Sequence, residues 1–166
     1  MIDCGSFSRS DLVKAGFLGF ESVGTLRASR CRDLPPGPGA YCVLRSAKGI
    51  PPFLPVTTGG RFKGMDKTLP VASLGPRWIA GSTVVYIGKA SSLRTRLKQL
   101  VDYGGGKPVG HQGGYPLWQL PDSDSLLIAW MEHADFTALE NHMLTSFMAI
   151  HGGRLPYANS AGVRGS

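Results

Sequence analysis

A set of polar side chains suited to cutting a phosphodiester bond is spread in a fixed order along the chain. The set consists of Tyr41 in Gly39-Ala40-Tyr41, Tyr86 and Lys89 in Tyr86-Ile87-Gly88-Lys89, and then Arg96, Glu140 and Asn159. Phenols can hold or deprotonate a water molecule, cations can stabilise charge on a phosphate, and a carboxylate can hold a divalent metal. Each residue alone carries little information, so their order is the informative feature.

Two short apolar segments, residues 40–44 and 84–88, predict the strands that carry the tyrosines. Apolar, β-branched segments of this length are typical of buried strands. We expect the two strands to pair side by side, which would bring the phenols together. A third segment, residues 126–130, is apolar throughout and predicts a central strand. These segments predict a small, mainly antiparallel sheet of three strands.

The helix after the second strand positions the arginine. It is predicted to begin within residues 91–92, and its apolar face consists of Leu93, Leu97 and Leu100. At about 100° per residue, Arg96 lies roughly 60° from Leu93, at the border of that face. Arg94 and Lys98 point further outward. Arg96 is therefore the cation best placed to face a cleft beside the sheet.

A longer helix, residues 136–150, places Glu140 roughly 40–50° from the middle of its apolar face. A carboxylate so close to a core is costly unless it is paired or bound to a cation. The rival interpretation is local, because Thr137 and Glu140 fit a capping box in which the glutamate caps its own helix. Asp135 offers an equally good N-cap, which would leave Glu140 available. The helix alone leaves both interpretations open.

The length of 166 residues fits one domain with a real core, residues 1–166. Residues 1–34 are predicted to be a short helical lead-in, with Ser22 as an N-cap. Residues 45–83 are rich in proline and glycine and predict an irregular insertion between the first two strands. Residues 37–160 then form an α/β (α+β) core in which helices flank the sheet.

Positive charge is concentrated in the middle of the chain. Residues 51–110 hold nine Lys and Arg against two acidic residues, and the whole chain has a formal net charge of +7. This pattern favours a polyanionic partner such as DNA, although a merely solvated basic surface is an open alternative. The candidate contacts to DNA phosphates are Arg61, Lys63, Arg94 and Lys98.

Cysteine usage and the absence of long apolar segments bear on location. Cys4, Cys31 and Cys42 are odd in number and have no Cys-x-x-Cys spacing, which favours reduced thiols in the cytoplasm. Asp3 and Asp11 interrupt the first residues, so no signal peptide is expected. No apolar run approaches the roughly 20 residues of a membrane span.

Taken together, the ordered residues resemble the GIY-YIG nuclease superfamily. The family pattern is a Gly-x-Tyr strand, a Tyr-x-Gly strand, an arginine ten residues past the second tyrosine, a helical glutamate and a later asparagine. Here Arg96 lies ten residues after Tyr86, and Glu140 and Asn159 follow in order. The match covers residues 37–160, and the chain resembles a small stand-alone domain of the bacterial or phage type.

The resemblance implies roles for most of the set. Glu140 would hold one divalent metal, Mg²⁺ or Mn²⁺, against a phosphate oxygen. Tyr86 or Tyr41 would activate or position the attacking water, and Lys89 would lower the cost of forming a phenolate. Which tyrosine acts as the base is left open.

The same resemblance makes Arg96 the group that stabilises the pentacovalent phosphate and gives Asn159 a supporting role. Three departures accompany it, and the mildest is Ala40 in place of isoleucine or valine. The tyrosines are separated by 44 residues instead of a short connection, and Leu100 occupies the place where many members carry a histidine or tyrosine. Tyr103 and His111 are the accessory candidates for that missing group.

The function implied is metal-dependent hydrolysis of DNA by an endonuclease. One alternative is a nucleic-acid-binding module on the same fold that does not cleave. A second alternative is a basic protein-interaction domain, which would be favoured if the basic residues of segment 51–110 were scattered over several faces.

Overall fold

The computed structural model describes residues 2–110 and 113–160, which form an antiparallel sheet flanked by helices. The α-helices are α1 (Arg9–Ala15), α2 (Val23–Ser29), α3 (Leu93–Gly104) and α4 (Phe136–Ile150). The strands are β1 (Leu18–Ser22), β2 (Gly39–Leu44), β3 (Val84–Ala90) and β4 (Leu127–Glu132). The 3-10 turns are Val71–Ser73, Gly75–Arg77, Tyr115–Gln119 and Ser123–Ser125.

The sheet has the order β1-β4-β2-β3, and every neighbouring pair is antiparallel. β2 and β3 pair as expected, with Tyr41 opposite Gly88 and Val43 opposite Tyr86. β4, the strand expected to be central, lies between β1 and β2. The α+β class is therefore confirmed, whereas the prediction of three strands is wrong by one.

The additional strand, β1, lies within residues 1–34, where only helix was expected. Its residues show no clean alternation, since Leu18 is 65% exposed and Gly19 and Phe20 both have positive φ. Its register with β4 shifts between Gly19 and Glu21. A short, bulged edge strand of this kind lacks the period-of-two pattern that identifies strands in a sequence.

The helix starts follow their capping residues. The side chains of Ser22, Ser92 and Asp135 accept hydrogen bonds from backbone N–H groups in the first turns of α2, α3 and α4. Because Asp135 caps α4, Glu140 is not needed for that purpose. α3 ends at Gly104, so Tyr103 lies in its last turn.

The two faces of the sheet bury separate cores. The face under α3 carries Tyr41, Val43 and Tyr86 and packs on the leucines of α3 and on Trp118. The opposite face packs on α4, chiefly on Leu139, Met143 and Phe147. Alternation along β2 thus sends its tyrosine toward α3.

The insertion, residues 45–83, contains no α-helix or strand in the structure, as expected. It is nevertheless anchored at its base by Gln119, whose side chain is 0% exposed. The Gln119 amide donates to the carbonyl oxygens of Leu54 and Leu69 at 3.0 and 2.9 Å, and its oxygen accepts from Leu69 N–H at 2.8 Å. One buried side chain therefore joins the two limbs of the insertion.

No helix within residues 2–110 and 113–160 combines the length and the apolar character needed to cross a membrane.

Candidate active site

The two tyrosines of the predicted set lie next to each other on the α3 face of the sheet. Their ring centroids are 6.0 Å apart, with an interplanar angle of 49°. Tyr41 is fully buried and Tyr86 is 7% exposed. Strand pairing therefore brings the two phenols together across the 44 residues that separate them in sequence.

The glycines of the two motifs are required by close packing. A Cβ atom on Gly88 would lie 2.5 Å from Cζ of Tyr41, so the Tyr41 ring crosses β3 only where a side chain is missing. A Cβ atom on Gly39 would collide with the carbonyl oxygen of Met131 on β4. The Gly-x-Tyr and Tyr-x-Gly patterns thus have a steric origin in this fold.

Arg96 acts electrostatically on both phenols. Burial raises the pKa of Tyr41 well above its usual value, the neighbouring Tyr86 raises it further, and the Arg96 guanidinium opposes the shift. Burial also raises the pKa of Tyr86, and Arg96 again opposes the shift, whereas Glu140 adds to it. The Tyr41 hydroxyl is buried and makes no hydrogen bond of standard geometry within the described residues. Both phenols keep their protons at neutral pH.

Glu140 lies at the rim of this site, with its side chain 18% exposed. Its Oε1 atom is 3.8 Å from Nζ of Lys89, which also donates to Oγ1 of Thr137 at 3.2 Å. Lys89 thus contacts α4, and Arg96 is the cation that acts most strongly on the tyrosines. This arrangement differs from the expected one, in which Lys89 supports a phenolate.

The side chain of Asn159 hydrogen-bonds to the backbone of β3 at the free edge of the sheet. The side-chain oxygen accepts from the N–H of Ile87, and the side-chain nitrogen donates to the carbonyl of Ile87, each at 3.0 Å. Ala158 adds a bond from its N–H to the carbonyl of Val85 at 2.8 Å. Asn159 therefore holds the strand residue that directly follows Tyr86, which is a positioning contact.

The donor set around Glu140 determines whether a divalent metal can bind there. Within the described residues, no group of three or more His, Cys, Asp or Glu side chains could hold a metal ion. Mg²⁺ commonly keeps several water ligands and binds one or two carboxylates together with substrate phosphates. A single, partly exposed carboxylate therefore fits Mg²⁺ or Mn²⁺ when a phosphate supplies further oxygen ligands.

The two accessory candidates have different outcomes. Tyr103 lies in α3 and is 2% exposed, with its ring 5.7 Å from the ring of Tyr115. Burial, Tyr115 and Asp66 together raise the pKa of Tyr103. His111 lies outside the described residues.

The predicted DNA-contacting cations divide between two grooves on either side of α3. The insertion-side groove has a volume of about 550 Å³ and is lined by Phe62, Lys63, Met65, Lys67, Arg96 and Tyr115, with Tyr103 at its base. The α2-side groove has a volume of about 470 Å³ and is lined by Arg30, Arg32, Arg94, Lys98, Gln99 and Asp102. Arg61 is 69% exposed and pairs with Asp66 beside the insertion-side groove.

The sequence reasoning missed the aromatic walls of the insertion-side groove. Phe62 and Tyr115 lie 53 positions apart, and only the folded chain brings them to one groove. An aromatic residue directly before Lys63, in a loop rich in Gly, Thr and charged residues, is the one local signal that pointed there. Arg30 and Arg32 were not assigned to the α2-side groove either, because they are far in sequence from the α3 residues that line it.

Comparisons of the chain with known protein families, with curated proteins and with solved structures found no match.

Proposed function

We propose that this protein is a metal-dependent endonuclease of the GIY-YIG type that hydrolyses phosphodiester bonds in DNA. The observation that carries the proposal is the clustering of two phenols, a guanidinium and a carboxylate around Tyr86. Arg96 acts on Tyr41 and Tyr86, and Glu140 acts on Tyr86, although the four residues come from four different elements. A purely structural core would not be expected to gather these groups.

Glu140 is the residue that would hold the metal, with oxygen ligands completed by water and the substrate phosphate. When bound there, Mg²⁺ or Mn²⁺ polarises the phosphate and neutralises charge on the leaving oxygen. Lys89 forms an ion pair with this carboxylate, with 3.8 Å between Nζ and Oε1. The ion pair thus keeps the carboxylate at the rim of the site, where a phosphate can approach.

Arg96 is the group that stabilises negative charge on the phosphate as it becomes pentacovalent. Its guanidinium sits where the buried phenols and the insertion-side groove meet. The electrostatic strength of such a cation is increased by its half-buried position. Lysine would be a poor substitute, because it lacks the planar fork that fits phosphate oxygens.

Tyr86, supported by Tyr41, positions the attacking water while both hydroxyls stay neutral, and the proton that this water loses passes to bulk solvent. The pKa values of both phenols are raised by burial, so deprotonation is unfavourable at neutral pH. Tyr86 is the better placed of the two to contact water, since it is 7% exposed and Tyr41 is fully buried. In this account Tyr41 supports Tyr86, and Asn159 fixes the backbone of β3 beside it.

The test is cleavage of a supercoiled plasmid by purified protein in Mg²⁺, in Mn²⁺ and in EDTA. We expect cleavage in either metal and none in EDTA. Arg96→Ala should reduce the rate by roughly 100-fold or more, because one transition-state contact is lost. Lys14→Ala, which removes a cation from α1, is the matched control and should cleave normally. Cleavage by Arg96→Ala at the rate of the wild type would contradict the proposal.

The alternative function is a nucleic-acid-binding module that does not cleave. It is favoured by the Lys89–Glu140 ion pair and by the protonated phenols, since both are compatible with an inert site. Salt-sensitive DNA binding without cleavage in either metal would support this alternative. Absence of both binding and cleavage would favour a protein-interaction domain.

A cytoplasmic location is proposed together with this function. Cys4, Cys31 and Cys42 are free and buried, and burial raises the pKa of Cys4 and Cys31 to about 11. Free thiols are typical of a reducing compartment. Recovery of the protein from a secreted fraction of its cells would contradict this location.

A further inference from the structure

The insertion presents two apolar side chains at the edge of the insertion-side groove. Phe62 is 41% exposed and Met65 is 54% exposed, although both line the groove. Exposing two large apolar side chains to water costs free energy, so such a pair is typical of a surface that binds something.

A tight turn fixes the position of these two side chains. Phe62 and Met65 face each other across an antiparallel bridge, with Met65 N–H donating to the Phe62 carbonyl at 3.1 Å. Lys63 and Gly64, the central residues, both have positive φ, as in a type I′ turn. Directly opposed residues project from the same face of a ribbon. Phe62 and Met65 therefore project together into the groove.

The turn is braced against the body of the protein. Below it, Thr57 N–H donates to Oγ1 of Thr68 at 3.1 Å, which joins the two limbs of the insertion. Gly60 N–H donates to the carbonyl of Tyr103 at 2.8 Å, which attaches the same segment to α3. With the Gln119 bonds, these contacts present the groove as a preformed surface, which reduces the entropy lost on binding.

Cations alternate with aromatic rings along the groove. Nζ of Lys63 lies 5.4 Å from the ring centroid of Phe62, and Nζ of Lys67 lies 5.3 Å from that of Tyr115. None of the described lining residues is acidic, and the nearby Asp66 is paired with Arg61. Flat aromatic surfaces between cations are the combination that binds single-stranded nucleic acid, with bases stacked and phosphates neutralised.

Arg96 connects this groove to the site of cleavage. It lines the groove and also acts on Tyr41 and Tyr86. A nucleotide lying in the groove is therefore next to the position where the phosphate would be attacked. The volume of about 550 Å³ falls within the range of about 300–1,000 Å³ typical of small-ligand pockets.

We propose that the insertion-side groove binds an unpaired nucleotide of the DNA substrate beside the bond that is cut. The inference rests on the proposed function and adds the substrate class, which is DNA with a single-stranded segment, such as a flap or a gap. The face of a base is available for stacking only where the base is unpaired or at a helix end. An intact duplex would present phosphates to Lys63 and Lys67 and leave Phe62 and Met65 without a partner.

The test measures binding in EDTA, so that its result does not depend on cleavage. Fluorescence anisotropy is recorded for three DNA probes: a blunt duplex, the same duplex with a single-stranded flap, and a single strand of equal length. We expect the flap probe to bind roughly tenfold more tightly than the blunt duplex. A 2-aminopurine placed at the first unpaired position should lose fluorescence on binding, because stacking quenches it.

Phe62→Ala is the decisive variant. It should weaken binding of the flap probe roughly tenfold and change binding of the blunt duplex less than twofold. Val56→Ala is the matched control, since Val56 is 59% exposed in the same insertion and does not line the groove. It should bind all three probes as the wild type does. Met65→Ala should follow Phe62→Ala with a smaller loss.

The outcomes separate this inference from the proposed function. Equal affinity for flap and blunt probes, or equal losses on both in Phe62→Ala, would overturn the inference even if plasmid is cleaved. Preference for the flap probe with quenching of 2-aminopurine would support the inference even if no metal-dependent cleavage occurs.

Discussion

The two grooves beside α3 are both basic, yet their cations have different surroundings. In the insertion-side groove, Lys63 and Lys67 lie over aromatic rings. In the α2-side groove, Nε of Arg94 donates to the Leu34 carbonyl at 2.8 Å, and Nζ of Lys98 contacts the buried Asp102 at 2.5 Å. No aromatic side chain of the described chain lines that second groove.

This difference shows that charge in the sequence does not identify a binding surface by itself. Arg94 joins α3 to the segment before β2, and Lys98 pairs with Asp102 within α3. Asp102, which is 5% exposed, is further paired with Lys107 at 3.7 Å. We therefore expect the cations of the insertion-side groove to contribute more to DNA binding, because cations, aromatic rings and Arg96 occur together there.

The largest expected effect comes from removing the anchor of the insertion-side groove. Gln119→Ala leaves buried backbone groups of Leu54 and Leu69 without partners, which should lower the free energy of unfolding by roughly 2–4 kcal/mol. Urea denaturation measures the change. Gln99→Ala, in the wall of the α2-side groove, is the matched control and should stay within about 0.5 kcal/mol of the wild type. Equal stabilities of the two variants would show that the insertion does not depend on Gln119.

A smaller effect is expected where the Tyr41 ring packs against β3. Gly88→Ala places a methyl group against the Tyr41 ring and should destabilise the fold by about 1–3 kcal/mol. Gly75→Ala is the control, because a Cβ atom there meets no other atom within 4 Å. Thermal unfolding of both variants checks the prediction. A Gly88→Ala variant as stable as Gly75→Ala would mean that the phenol is not held against β3.

Salt dependence compares the two grooves directly. Replacing Lys63 and Lys67 together by Ala should reduce the slope of log binding constant against log salt by about 1–2, since each phosphate contact contributes about 0.9. Replacing Arg94 and Lys98 together should reduce it by less than about 1, because these side chains are engaged within the protein. Anisotropy titrations of a blunt duplex at several salt concentrations give the slopes. The reverse order would identify the α2-side groove as the main DNA surface.

The smallest expected effect comes from the raised pKa of Tyr41, and it changes stability above pH 10 but not at neutral pH. Because the folded-state pKa of Tyr41 is raised above its unfolded value near 10, its contribution to stability is complete below pH 10 and is lost as the pH rises further. Above pH 10 the unfolding free energy of the wild type should therefore fall more steeply than that of Tyr41→Phe. The difference in slope should be about 1.4 kcal/mol per pH unit, measured by urea denaturation. Parallel pH profiles would contradict the raised pKa.

Much of the fold could be predicted because most of its helices and strands have a strong local pattern of apolar residues, caps and turn residues. The predicted helix of residues 136–150 is α4, since the Asp135 cap marks its start and the apolar period continues to Ile150. The strands with the tyrosines were also correct, because short apolar segments between turn residues define them. β1 was not predicted, because Gly19 and Phe20 interrupt the alternation of inward and outward side chains.

The candidate site was predictable as residue types in order and, in part, through strand pairing and helical phase. The proximity of Tyr41 and Tyr86 followed from the predicted pairing of their strands, and the position of Arg96 followed from helical phase. The contacts of Lys89 could not be read from the sequence, because they depend on how α4 packs against β3. Gln119 was equally hidden, since its partners lie 50 and 65 positions away.

The most direct test of the central claim is the rate of plasmid cleavage by Glu140→Gln in Mg²⁺. The substitution keeps the shape of the side chain and removes the charge that would hold the metal. We predict a loss of at least about 100-fold, because metal stabilisation of the transition state contributes several kcal/mol. Glu21→Gln, an exposed glutamate on β1, should cleave normally. Cleavage by Glu140→Gln at the rate of the wild type, in a variant that melts at the same temperature, would contradict the account.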